Sequence, residues 1–138
     1  MASDDYGQNI ANVAASMYPN RGFGGYCATG VSNILAAATG KPKTSGNGCD
    51  YANVMRGRSD FAEYTDFDFN SMSAGQIQEF LKTLPAGTVV SFGATAKNQY
   101  GHVMIMDGKG NEISDGTNPI GTYYKSWYSS MSVFTPVA

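Results

Sequence analysis

Two residues of this chain have side chains that could share nucleophilic chemistry. Cys27 lies in GGYCATGVSNIL, residues 24–35, and His102, the sole histidine, opens HVMIMDG after Gly101. A thiol attacks as its thiolate, a neighbouring imidazole takes the proton, and a third group orients the imidazole through its other nitrogen. Cys27 stands where a helical pattern begins, and the positive end of a helix dipole favours thiolate. The glycines before it leave room for a substrate and let a backbone N–H approach a developing oxyanion. The ordinary alternative is a packed thiol: Cys27 lies four residues before Val31 on the apolar face, and free cysteine is among the most buried residue types. A lone histidine is likewise more often structural than catalytic. His102, however, follows a glycine at the start of a strand pattern, where a side chain can face a cleft. Cysteines at 27 and 49 with a histidine at 102 lack metal-ligand spacing. No metal and no cofactor is expected.

The orienting acid depends on a hairpin register. If the turn in DGKGN centres on Lys109–Gly110 with an even loop, Met106 pairs with Ile113 and Met104 with Asp115. Asp115 then shares a sheet face with His102 on its diagonal, while Glu112 and Ser114 face away. An odd loop or a bulge exchanges them. Asp115 is the favoured third residue and Glu112 the second choice.

The elements that must position these groups follow from periodicity. Ile10, Val13, Ala14 and Met17 predict a first helix over roughly 4–17, with Ser3 as cap, Asp4 and Asp5 in its first turn and Pro19 beyond its end. Cys27, Val31, Ile34, Leu35 and Ala38 mark a second, closed by Gly40 and Pro42. Residues 41–72 read as mostly irregular. SAGQ at 73–76 is a capping-box pattern leading into Ile77, Phe80, Leu81 and Leu84, and Pro85 stops that helix. Strands are expected about Thr88–Phe92, over GHVMIM, over EISD and near Met131–Thr135. Helices first and an antiparallel sheet after them make an α+β architecture.

Composition excludes several functions. A chain of 138 residues fits a single domain, 1–138, long enough to bury a core unaided. Hydrophobic residues are 42% and charged residues 14%, which rules out a disordered chain. The nine Lys and Arg are scattered and the net charge is −2, so nothing points to nucleic acid or an anionic membrane. No apolar run approaches the ~20 residues of a spanning helix. MASDDYGQNIANVAAS lacks a secretory pattern, so the expectation is a chain made in the cytoplasm or exported by a route that needs no such signal.

Cysteine at a helix start, a strand opening with Gly-His and an acid near the end of the next strand together resemble the papain-like cell-wall amidases. These comprise the CHAP domains (cysteine, histidine-dependent amidohydrolase/peptidase) and the NlpC-type peptidases. YCATGVSNIL is similar to their nucleophile helix and SGNGCDYANVM to the segment after it in CHAP domains. LPAGTVVSFG is similar to the turn into the first core strand, and YGHVMIMDGKGNEISD to the histidine hairpin. The likeness spans roughly residues 20–116. It implies a papain-like core with N-terminal helices packed on a small antiparallel sheet. It also implies Cys27 as nucleophile, His102 as base and Asp115 as orienting acid, acting on an amide of a peptidoglycan stem peptide or cross-link. Small type VI secretion amidase effectors and phage lysins share that core and size. The resemblance therefore implies peptidoglycan as partner, a cognate immunity protein for an effector, a monomer, and action at the cell wall after delivery or lysis.

Tyr26 and Tyr100, each within two residues of Cys27 or His102, are expected to line the cleft, with ordinary surface packing as the alternative. Cys49 could close a disulfide with Cys27, a cross-link that chain entropy values at roughly 3 kcal/mol and that would silence the nucleophile. A free thiol is the expectation for a chain made in the cytoplasm. Two other functions share the fold: a papain-like hydrolase or acyltransferase on another substrate, and a non-catalytic binding or structural module.

Overall fold

The computed structural model of the chain describes residues 2–138, with side chains from Asp5 onward. Helix α1 is Ala2–Met17 and α2 is Cys27–Thr39. Their apolar stripes meet in one cluster, with Ile10 and Ala14 from α1 against Val31, Ile34 and Leu35 from α2. Because α1 begins at Ala2, Ser3 lies inside the helix rather than ahead of it; the Ser3 and Asp4 side chains are outside those described. Gly40 ends α2 in the left-handed region at φ 74°, its N–H on Ala36 O.

The segment expected to be irregular carries more structure than its sequence suggested. It holds a 3₁₀ turn at Gly48–Asp50, helix α3 at Tyr51–Arg56, strand β1 at Phe61–Tyr64 and a second 3₁₀ turn at Phe69–Ser71. Each is shorter than the window in which periodicity can be seen. Helix α4, Ala74–Thr83, starts on the expected capping box, with Ser73 and Gln76 bonding reciprocally.

The remaining elements are β2 Val89–Phe92, β3 His102–Met106, β4 Asn111–Ile113, β5 Thr117–Pro119, α5 Tyr124–Trp127 and β6 Met131–Pro136. The six strands form one sheet in the order β1-β6-β2-β3-β4-β5, and every neighbouring pair is antiparallel. The architecture is α+β, with a sheet wider than expected because β1 and β5 join it.

Both faces of that sheet are covered. Val89, Val103, Ile105 and Phe134 pack with α1 and α2, while Val90, Met104, Met106 and Val133 pack with Ile77 and Leu81 of α4 and Tyr124 of α5. Double coverage explains why VVSF and HVMIM do not alternate: every residue of β2 and β3 is buried.

The β3–β4 hairpin takes the odd register. Met106 stands opposite Glu112 and Ile105 opposite Ile113, one residue from the even-loop pairing. The loop chemistry accounts for it. Asp107 Oδ1 accepts from the N–H groups of Lys109 (2.7 Å) and Asn111 (3.0 Å), and Gly108 and Gly110 both take positive φ. A one-residue slip exchanges the two faces of β4. Glu112 therefore joins the face of His102, and Asp115 falls in the turn after β4.

Candidate active site

Cys27 is the first residue of α2. Tyr26, at the N-cap, provides no side-chain cap, so the first-turn N–H groups remain open to the thiol and to whatever binds beside it. Gly30 lets this helix end approach the sheet: a Cβ there would lie 2.3 Å from Ser114 O. Burial raises the pKa of the thiol, but a hydrogen bond with His102, its charge, and the backbone amides of Val103 and Ala28 outweigh burial and leave Cys27 below the ordinary thiol value.

His102 begins β3 opposite Phe92. Gly48 packs directly on its backbone, where a Cβ would come within 2.6 Å of His102 Cα. The buried ring stacks on Phe92 and Tyr128 at centroid distances of 6.2 and 5.9 Å and meets Phe23 edge-on at 6.0 Å. Nε2 is 2.9 Å from Glu112 Oε1, which leaves Nδ1 as the nitrogen for the thiol. Burial depresses the imidazole, yet hydrogen bonds to Cys27 and Glu112 and their charges raise it to about 9. A lowered thiol beside a raised imidazole favours one state, the thiolate–imidazolium pair.

Glu112 is fully buried. Its Oε2 accepts from the hydroxyls of Tyr123 (2.8 Å) and Tyr124. Burial and the Glu112 charge raise both phenols, so they stay protonated donors. Tyr128, under the imidazole, is pushed up to about 12 by burial and by the charges of Cys27 and Glu112.

Asp115, the acid favoured on the even register, is turned to another task. Its Oδ2 accepts from Tyr26 N–H at 2.8 Å and its Oδ1 from Ser114 Oγ at 3.2 Å, so it ties the turn after β4 to the loop before α2. The slip of one residue is the physical reason. Cys27, His102 and Glu112 come together; Asp115 borders them from the cleft wall.

A cleft of about 710 Å³ opens over the pair, walled by Phe23, Tyr100, Asp115, Tyr123, Trp127 and Tyr128 among others. Tyr100 lines it. Tyr26 does not: it is 70% exposed and only its backbone serves the site. Phe23 and the aromatic wall from YYKSWY line the cleft without having been expected there. Three tyrosines and a tryptophan in six residues were the available signal, but α5 spans four residues and has no periodicity to show its facing. Cys49 sits in the Gly48–Asp50 turn with its N–H on Tyr100 O at 2.9 Å, and both cysteines are free thiols.

No family model matches the chain, and no curated protein does. Among solved structures, it is similar to a chain of the crystal structure of the type VI native effector–immunity complex Tae3–Tai3 from Ralstonia pickettii. The TM-score is 0.66 at 18% identity, covering 95% of this chain and 98% of that one. A chain of the selenomethionine form of that complex matches with the same TM-score at 22% identity, covering 91% and 98%. At these identities the likeness establishes a shared fold over nearly the whole of both chains.

Proposed function

We propose that this protein is a cysteine-dependent peptidoglycan hydrolase that cleaves an amide bond of the stem peptide or cross-link. The observation that carries the reading is the Cys27–His102–Glu112 line, with a helix N-terminus behind the thiol, a buried carboxylate behind the imidazole and an open cleft in front. The shared fold with a chain of a type VI effector–immunity complex supports an antibacterial effector, delivered to the periplasm of a target cell and held in check by a cognate immunity protein.

The chemistry follows from the arrangement. The Cys27 thiolate attacks the amide carbonyl, and the Cys27 N–H at the start of α2 is a donor for the tetrahedral oxyanion. The His102 imidazolium protonates the leaving amine, and a thioester remains. Neutral His102 then takes a proton from the attacking water, the thioester C–S bond breaks to release the acid, and the thiolate–imidazolium pair is regenerated. Glu112 holds the imidazole in orientation and balances its charge throughout.

The test is digestion of purified Gram-negative peptidoglycan with wild type, Cys27→Ala and His102→Ala, read by mass spectrometry of the fragments. Amide-cleavage products from wild type alone are expected, with each variant losing nearly all activity because the groups act as a unit. Products persisting in Cys27→Ala, or none from folded wild type, would overturn the reading in favour of another acyl substrate or a non-catalytic module.

A further inference from the structure

We propose that Tyr123 and Tyr124 are positioning residues for the Cys27–His102 pair: their hydroxyls hold Glu112 Oε2 so that Oε1 stays fixed on the imidazole. The inference rests on the hydrolase reading for its activity readout, but its geometry stands apart from any substrate.

Glu112 is a fully buried carboxylate, which needs donors on both oxygens. Oε1 has His102 Nε2, and Oε2 has the two phenols. The terminal torsion of a glutamate is broad and two-fold, so a carboxylate held at one oxygen can turn and exchange its oxygens. Two donors converging on Oε2 remove that freedom, and hydrogen bonds to an ionised acceptor are the strong ones.

The two tyrosines are not equivalent. Tyr124 is buried, its ring stacked on Phe92 at 4.9 Å, and it is absent from the cleft wall. Its hydroxyl also accepts from Gly121 N–H at 3.3 Å. Tyr123 is half-buried, lines the cleft, and meets Phe23 and Trp127 edge-on. Tyr124→Phe therefore removes a donor while keeping the core ring and the cleft surface. The other titratable groups around this cluster and its cleft are Cys27 from α2, Cys49 beside it in the Gly48–Asp50 turn, Lys97 and Tyr100 from the loop between β2 and β3, Asp115 from the turn after β4 and Tyr128 after α5.

The experiment measures iodoacetamide alkylation of Cys27 against pH, resolved from Cys49 by peptide mass mapping, in wild type, Tyr124→Phe and Tyr123→Phe. Peptidoglycan hydrolysis is followed against pH in parallel. A positioning role predicts that Cys27 alkylation at neutral pH slows about tenfold in Tyr124→Phe, and that the alkaline limb of hydrolysis moves about one pH unit lower, with KM little changed. Tyr123→Phe, altered at a half-buried position, is the second variant should Tyr124→Phe not fold. An alkylation profile that superimposes on wild type, whether or not the melting temperature falls, would overturn the proposal. If wild type fails to cut peptidoglycan, the alkylation profile still decides it, so the two readings fail separately.

Discussion

At the scale of single residues, the site turns on which acid meets His102. Glu112 Oε1 lies 2.9 Å from Nε2, whereas Asp115 accepts from the Tyr26 amide. Glu112→Gln removes the charge that balances the imidazolium and permits the wrong tautomer, so kcat/KM on peptidoglycan should fall about 100-fold or more. Asp115→Asn keeps an acceptor for Tyr26 N–H and should cost less than about tenfold. Steady-state kinetics on the two variants check this, and the reverse order would return the role to Asp115. The pH profile belongs to the same scale. On the proposed mechanism, the imidazolium needed to protonate the leaving amine is lost as pH rises through about 9, and the thiolate is lost as pH falls through the lowered value of Cys27. Between these limits the rate should be flat. The raised His102 also adds stability that is fully present below its unfolded value of about 6.5 and lost as pH rises through about 9.

At the scale of elements, the Cys27 thiol is placed by how closely α2 approaches the turn after β4. Gly30 sits at the first turn of α2 with its N–H on Tyr26 O, and glycine within a helix ordinarily costs up to about 1 kcal/mol relative to alanine. Here a Cβ would lie 2.3 Å from Ser114 O and 2.8 Å from Asp115 N, all of it backbone that cannot swing aside. Gly30→Ala should therefore destabilise the fold by about 1–3 kcal/mol through overpacking, despite its better propensity. It should also lower activity by pushing Cys27 away from His102. Urea denaturation with parallel kinetics reads both effects. A gain in stability would mean that the helix is free to move, and that the close approach does not position the thiol.

For the molecule as a whole, the far end of the sheet is locked by charge. Arg58 holds Asp60 through Nε (2.9 Å) and Nη2 (2.8 Å), Tyr6 of α1 donates to the same carboxylate at 2.7 Å, and Asp60 O accepts from Val137 N–H after β6. One buried aspartate thus ties together the first helix, β1 and the C-terminal strand. Burial raises its pKa, but the hydrogen bonds from Arg58 and Tyr6 bring it below the usual carboxylate value. Its contribution is present above the unfolded value of about 3.9 and lost as pH falls through the lower folded value. Arg58→Ala strands the carboxylate and should cost about 3–5 kcal/mol by chemical denaturation. Cys27 alkylation by the folded variant should match wild type, and a slowed thiol would show that this lock also shapes the cleft.

Long elements with strong periodicity were legible in the sequence: α1, α2 and α4, the strands around Val89 and His102, and the α+β class. So was the placement of Cys27 at a helix start and His102 at a strand start, because capping residues, glycines and apolar spacing act locally. What is not local was decided by the tertiary structure. The pairing of β3 with β4 turned on Asp107 binding Lys109 N–H and Asn111 N–H, and that slip of one residue exchanged Asp115 for Glu112. Strands β1 and β5 exist because neighbours pair with them, at four and three residues, lengths at which periodicity is silent. Tyr123 and Tyr124 reach Glu112 only because α5 folds back over the sheet. A side chain's type and local backbone are written in its own neighbourhood; its partner across the fold is set by register and packing, which no single stretch of the chain contains.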